Sequence, residues 1–290
     1  MYYFFSLLSG ILISVMVATN GGLAEQYGMH SATVIIHITG LACITVFILA
    51  KRERPFAKKH VWVFYLGGVL GVLTIVCNNL AFGRISVSAI TALSLLGQSL
   101  TSLAIDQYGL FGMPKHPFGK RKLAGLFLVF CGIAAMIDNF EILAVAASLV
   151  AGVNVVITRT LNARLAALTS VRISTFYNYL LGSVVAIPIF LLLGRQELNS
   201  VVISPNILIY LGGVLGVCVV LASNILVSKI SALYLSILMF VGQVFAGILV
   251  DALVFQAFSP RVLIGGVLVA FGMCLNLVLD QNNPVPRNRR

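Results

Sequence analysis

The sequence predicts an all-α integral membrane protein, in which ten transmembrane helices form two five-helix repeats of opposite topology. The first indication is composition, because 60% of the 290 residues are hydrophobic and only 9% are charged. A soluble domain has roughly 45–50% apolar and about 25% charged residues. So few charges cannot cover the surface of a soluble globule of this length, which argues against soluble enzymes and disordered chains. The other two indications are the spacing of the apolar segments and an internal repeat.

Ten apolar segments reach or approach the ~20 residues that a helix needs to cross a bilayer. Helices are the expected spanning structure because each backbone amide is then satisfied within its own segment. The segment that starts at Tyr2 has no basic leader, so we expect it to be retained as a helix. The fifth is short for a span, and no gap is long enough for a soluble domain. The predicted spans are 2–23, 31–50, 61–82, 86–105, 123–138, 142–161, 173–193, 206–227, 231–253 and 262–279.

The charge distribution predicts the orientation of these helices. With ten spans both termini lie on one side, and that side then carries 16 of the 19 Lys and Arg residues, among them Arg159, Arg164 and Arg172 in one loop. Loops rich in Lys and Arg remain cytoplasmic. We therefore expect both termini in the cytoplasm, a multi-pass location in a bacterial inner membrane, and no nucleic-acid partner despite the net charge of +11.

Motifs for catalysis and metal binding do not emerge from the sequence. There is no HExxH, no phosphate-binding loop and no nucleophile elbow, so we expect neither an enzyme nor a cofactor or metal site. Cysteines lie in apolar stretches without a CxxC pair, which favours a packing role over disulfides. They are Cys43, Cys77, Cys131, Cys218 and Cys274.

An internal repeat divides the chain into residues 1–138 and 139–290. The eight residues 65–72 recur unchanged as 210–217, and the match continues without a gap to Asp106 and Asp251, with 15 identities in 42 positions. Flanking helices match at offsets of 140 and 142 residues. Because five helices per repeat is an odd number, the second repeat must insert upside down, as in many secondary transporters.

Part of the first repeat resembles a known family. Gly97-Gln98, the stretch from Asp106 to Gly112 and the basic, proline-containing segment after it are similar to the YdcZ-type bacterial inner-membrane family of the drug/metabolite transporter superfamily. Many of its members carry one repeat, and this chain resembles two fused copies. The resemblance implies an EamA-like fold and a transporter of small molecules, with export favoured by analogy, but it does not supply a substrate.

One departure concerns the related small multidrug transporters, which carry an acid within helix one. The corresponding stretch here, from Ser6 to Leu23, has none, and Glu25 lies beyond it. The acidic coupling site of those transporters is therefore not carried over.

Polar residues at membrane depth are the candidate solute ligands. Gln98 and Gln243 occupy equivalent positions on helices four and nine and can either bind solute or bond neighbouring helices. The pair Asn79 and Asn224 leaves the same two alternatives open. His37 is the only His within an apolar segment, so it can couple protons or simply pack.

Further candidates lie on helices six and seven and at the ends of the repeated block. Asn154, Tyr177 and Asn178 can line the opposite wall, where an aromatic ring could hold an organic cation, or can pack within the bundle. Asp106 and Asp251 are candidates for gating or coupling, with a salt bridge or loop capping as the alternative.

Together these features predict a secondary transporter that moves a small organic solute, either a metabolite or an organic cation, by alternating access. Its expected partners are that solute, the lipid bilayer and a proton or exchanged solute, with the chain acting as a monomer or homodimer. A passive pore or lipid-moving protein is the main alternative, and a non-transporting interaction protein is the third.

Overall fold

The computed structural model describes residues 1–55, 61–112, 122–136, 141–200, 204–227, 229, 232–254, 256 and 260–281. Regular secondary structure in this part of the chain is helical. Short 3₁₀ helices, Trp62–Leu66 and Ile207–Leu211, precede α3 and α8 in the two repeats. The α-helices are α1 (Tyr2–Tyr27), α2 (Met29–Ala50), α3 (Gly67–Ala81), α4 (Val87–Tyr108), α5 (Lys122–Met136), α6 (Ile142–Leu168), α7 (Val171–Ile189), α8 (Gly212–Leu226), α9 (Ala232–Leu253) and α10 (Pro260–Gln281).

Seven helical segments of the described residues are long and apolar enough to cross a membrane. They are Tyr2–Tyr27, Met29–Ala50, Trp62–Ala81, Val87–Ile105, Ile142–Leu168, Val171–Glu197 and Ile207–Leu226. Helices α5, α9 and α10 contain shorter apolar stretches, Leu123–Ala135, Leu238–Leu253 and Leu263–Gly272. Large apolar side chains such as Val46, Phe127 and Leu192 are exposed on the outside of the bundle. Such a surface suits contact with lipid, so the prediction of an all-α membrane protein is confirmed.

Glycines allow the helices to cross at close range, and the close crossings occur at equivalent positions of the two repeats. A Cβ atom at Gly10 on α1 would lie 1.9 Å from the carbonyl oxygen of Met239 on α9. A Cβ atom at Gly152 on α6 would lie 1.9 Å from the carbonyl oxygen of Ser94 on α4. Small residues permit this approach of two backbones in membrane proteins. The α1–α9 and α4–α6 crossings are therefore the same contact made twice.

Helices α2 and α7 run antiparallel, because the end of each contacts the start of the other. Glu53, just after α2, accepts hydrogen bonds from Ser170 Oγ at 2.7 Å and Arg172 Nε at 2.6 Å, at the start of α7. Glu197 lies in the 3₁₀ helix Arg195–Ser200, which follows α7 and the π-helical segment Phe190–Gly194. It accepts from the backbone N–H and the hydroxyl of Ser31, both at 2.8 Å, at the start of α2. Burial by itself would raise the pKa of Glu53, but the hydrogen bonds from Ser170 and Arg172 and the Arg172 charge outweigh it and lower the pKa below the ordinary value.

Helices α5 and α10 also cross antiparallel through glycines. A Cβ atom at Gly132 would lie 2.6 Å from the carbonyl oxygen of Gly265, and one at Gly272 would lie 2.7 Å from the carbonyl oxygen of Gly125. Gly132, late in α5, thus meets Gly265, early in α10, and Gly272, in the middle of α10, meets Gly125, early in α5. This helix pair packs beside α4 and α9, where Leu95, Phe240 and Val269 belong to one buried apolar cluster.

Helix α6 differs most from the predicted bounds. The apolar pattern ends the span at residue 161 and assigns Arg159 and Arg164 to a cytoplasmic loop, but the helix continues to Leu168 and contains both arginines. The charge of Arg159 therefore lies within the bundle, nine residues before the helix ends. The next helix, α7, begins at Val171, so Arg172 also lies in a helix and not in the predicted loop.

Candidate functional site

A cavity of about 150 Å³ lies between the helices. Residues of α1, α2, α3, α4, α6, α7, α8 and α9 line it in the described part of the chain. A cavity of this size accommodates benzene in a well-studied protein interior, so it can hold a solute on the order of six heavy atoms. The wall is polar in several places, unlike the outer surface of the bundle.

Equivalent residues of the two repeats face one another across this cavity. Four such pairs come from α1 and α6 at an offset of 142 residues: Ile13 and Val155, Met16 and Thr158, Val17 and Arg159, and Asn20 and Asn162. Gln98 and Gln243 form a further pair, on α4 and α9. The two halves of the wall are not chemically identical, because the second repeat supplies a charge where the first supplies Val17.

Gln98 is buried and bonds to Arg159. One guanidinium nitrogen of Arg159 donates to Gln98 Oε1 at 3.5 Å, and Gln98 Nε2 donates to Ser94 Oγ at 3.5 Å. Because a guanidinium group only donates, the amide must turn its oxygen to Arg159 and its nitrogen elsewhere. Gln98 therefore uses its oxygen for Arg159 and an amide N–H for Ser94.

Several polar atoms of the cavity wall have no hydrogen-bond partner among the described residues. They include Gln243 Nε2 and one oxygen each of Asn20, Asn78 and Asn224. The amide nitrogen of Asn224 donates to Thr175 Oγ1 at 3.4 Å. A buried polar group that lacks a partner is costly, so a cluster of them around one cavity indicates a place for a polar solute.

His37 and Tyr179 bring aromatic rings to the wall from α2 and α7. The His37 side chain is 1% exposed, and its Nδ1 lies 2.9 Å from the Thr33 carbonyl oxygen. Because a carbonyl oxygen only accepts, Nδ1 carries the hydrogen. The ring centroids of His37 and Tyr179 are 6.0 Å apart.

Five of the predicted site residues line the cavity: Gln98, Gln243, Asn224, His37 and Asn178. Asn79, Asn154 and Tyr177 are not among the lining residues of the described chain. Asn78 lines it in place of Asn79, and the Tyr177 hydroxyl donates to the Pro55 carbonyl oxygen at 3.0 Å. Solute contact by any of these residues stays a prediction.

The structure describes the side chain of one of the two acids predicted to gate or couple transport. Asp251, at the end of α9, is buried and accepts hydrogen bonds from the backbone N–H groups of Val87 and Ser88, both at 3.0 Å. These groups begin α4, where a carboxylate complements the helix dipole, so Asp251 caps a helix of the first repeat and not a loop. Asp106 belongs to α4, but its side chain lies outside the described residues. A gating or coupling role of either acid stays a prediction.

Arg159, Asn20, Asn162 and Thr158 were not predicted as site residues, although they line the cavity. The repeat contains the signal that could have identified them. Asn20 and Asn162 are identical at the offset of 142, and Arg159 aligns with Val17, which lies well inside the first span. Aligned in this way, Arg159 falls within a membrane helix instead of a loop.

A bundle of apolar helices around a central cavity with polar residues in its wall is consistent with a membrane transporter. Sequence comparison gives the family. The family described as "Putative inner membrane exporter, YdcZ" matches residues 1–135 and again residues 143–275. The chain belongs to this family and carries two copies of its repeat, as the resemblance implied. The description of the family implies a membrane transporter rather than an enzyme, and it assigns the chain to the inner membrane.

Structural comparison supports the fold. A crystal structure with 16% sequence identity superimposes with a TM-score of 0.66, and the match covers 98% of both chains. At this identity the similarity concerns the fold alone. Among curated proteins, no sequence relative matches the chain.

Proposed function

We propose that this chain is a secondary transporter that moves a small organic solute across the bacterial inner membrane by alternating access, in the direction of export. The observation that supports this proposal is the central cavity. Its wall includes polar residues at equivalent positions of the two repeats, foremost Gln98 and Gln243. In transporters built from inverted repeats, substrate binds near the bilayer midplane at the interface of the repeats. The export direction follows the description of the family.

Opposite insertion of the two repeats is part of the proposal. A twofold axis in the membrane plane makes equivalent helices antiparallel where they meet. The end contacts of Glu53 and Glu197 support this for α2 and α7, and the glycine contacts of Gly132 and Gly272 support it for α5 and α10. On this topology all ten helices cross the membrane and both termini lie in the cytoplasm.

Alternating access follows from the equivalence of the crossings. Gly10 packs on Met239 as Gly152 packs on Ser94, so the same helix contacts exist in each half of the protein. If one half adopts the arrangement of the other, the cavity that is open to one side becomes open to the opposite side. The solute then moves without a continuous pore through the bundle.

The experiment that tests transport does not require a known substrate. Cells that express the wild-type chain, the Gln98→Ala/Gln243→Ala double variant or no added chain are compared by mass spectrometry of medium and cell extract. We expect a solute that rises in the medium with the wild-type chain and not with the double variant. The matched control is Gln196→Ala, which changes an exposed glutamine outside the cavity. Equal solute profiles in all strains, with equal amounts of protein in the membrane, would contradict the proposal.

A further inference from the structure

Arg159 places a positive charge on the wall of the central cavity. The side chain is half-buried, and the residue lies in α6 between its cavity-lining neighbours Thr158 and Asn162. The guanidinium group remains protonated in proteins. Ionisable residues within a membrane span are costly and mark the paths of substrates and ions.

The charge of Arg159 is not compensated by an acid of the described chain. No Asp or Glu is among the described residues that line the cavity, and Arg159 forms no ion pair within them. Glu53, Glu197 and Asp251 accept their hydrogen bonds from the starts of other helices. The cavity is therefore electropositive.

Among the described residues, Arg159 and Gln243 both bring unused N–H groups to the cavity wall. Arg159 uses one N–H group for Gln98 Oε1 at 3.5 Å, a long hydrogen bond, and its other N–H groups remain for a solute. That bond turns the Gln98 amide nitrogen away from Arg159, while Gln243 Nε2 has no partner among the described residues. Guanidinium and amide N–H groups match the acceptor oxygens of a carboxylate or phosphate.

The repeat shows that this charge is not required by the packing of the fold. The equivalent position in the first repeat is Val17, which is 5% exposed and belongs to a buried apolar cluster. Val17 and Arg159 thus occupy equivalent positions on equivalent helices, and the first repeat packs there with an apolar side chain instead of a cation.

From these observations we propose that the transported solute is a small organic anion, whose anionic group binds Arg159 and the amide nitrogen of Gln243. This inference rests on the proposed transport function and narrows its substrate class, from metabolites and organic cations to anions. The cavity volume of about 150 Å³ restricts the organic part to about the size of one six-membered ring.

The test compares solutes of one shape and three charges. Thermal shifts of the purified full-length chain are measured with benzoate, benzamide and benzamidinium, and with butyrate, butyramide and butylammonium. We expect benzoate, butyrate or both to raise the unfolding temperature of the chain. Such an anion should bind at least tenfold more tightly than the neutral and cationic compounds of its series, because hydrogen bonds to charged groups are stronger than those to neutral groups.

Variants of Arg159 distinguish this site from adventitious binding. Arg159→Gln should abolish the preference for anions, and Arg159→Lys should retain it with lower affinity because lysine keeps the charge but loses the planar donor fork. The matched control is Arg164→Gln, which removes a charge from the same helix at a position that does not line the cavity in the described chain. Equal shifts for all three charges, no shift with any anion, or an anion shift that persists in Arg159→Gln would overturn the inference.

The charge of the exported solute separates this inference from transport itself. If the solute found by mass spectrometry is neutral or cationic and still depends on Gln98 and Gln243, the chain is a transporter and the anion assignment is wrong. If anions bind through Arg159 but no solute moves in cells, the binding site stands and the transport function fails.

Discussion

His37 and Tyr179 occupy equivalent positions of the two repeats, and their rings meet beside the central cavity with centroids 6.0 Å apart. Each ring packs on a glycine, and these glycines are themselves equivalent. A Cβ atom at Gly182 would lie 2.1 Å from His37 Cδ2, and one at Gly40 would lie 2.2 Å from Tyr179 Cε1. The contact between α2 and α7 thus contains the same arrangement twice. In each copy an aromatic ring of one helix packs on a glycine of the other, and the ring is His37 in one copy and Tyr179 in the other.

This arrangement predicts that both glycines resist substitution. Gly40→Ala and Gly182→Ala should each lower the free energy of unfolding by about 1–3 kcal/mol, because both rings are buried and cannot move without displacing their neighbours. Thermal unfolding in detergent measures the effect. The control is Gly22→Ala, where the added methyl would lie 3.5 Å from Ile209 Cγ2 in ordinary contact. Unfolding of all three variants at the same temperature would contradict the packing.

The repeat predicted the cavity better than the residue types alone did. Gln98, Gln243 and Asn224 were chosen because they match across repeats, and all three line the cavity. Asn79 was chosen for the same reason, yet Asn78 lines the wall, since successive helical residues point about 100° apart.

Two further differences have equally physical causes. Tyr177 and Tyr179 are two residues apart on α7 and therefore face different sides, so Tyr179 lines the cavity while Tyr177 bonds to the Pro55 carbonyl oxygen. Arg159 lies near the end of the predicted span 142–161 and was counted with the positive residues of the adjoining loop. Only the three-dimensional contact with Gln98 shows what its charge faces.

The contact between Glu53 and the start of α7 predicts a pH-dependent stability. The pKa of Glu53 is lowered on folding, so its stabilising contribution is present above the ordinary value of 4.5 and is lost as the pH falls through the folded pKa. Glu53→Gln should therefore unfold at a lower temperature than the wild-type chain at pH 7, and the difference should shrink below pH 4.5. Unfolding temperatures measured across this pH range test it. Glu25→Gln, at an exposed glutamate of α1, is the control, and a difference that is constant with pH would contradict the assignment.

Opposite insertion of the repeats predicts where equivalent loops can be labelled. Lys51 follows α2 and Gln196 follows α7, and both are exposed. In a chain whose native cysteines are replaced, we expect Lys51→Cys to react with an impermeant maleimide only after the inner membrane is opened. Gln196→Cys should react from outside in cells with a permeable outer membrane. Labelling of both positions from one side would show that the repeats insert in the same sense.

Substitution of Gln243 distinguishes most clearly between solute binding and helix packing as the role of a buried amide. Its amide nitrogen is buried without a partner among the described residues, and a packing role requires such a partner. Gln243→Met keeps the volume and removes the unpaired group, so the variant should be as stable as the wild-type chain or more stable by about 1–3 kcal/mol. The same variant should lose solute export by tenfold or more, as measured by mass spectrometry of the medium. Ser14 donates to the backbone carbonyl of Gln243, a bond that the substitution leaves in place. A variant that is less stable and still exports solute would assign Gln243 to helix packing instead.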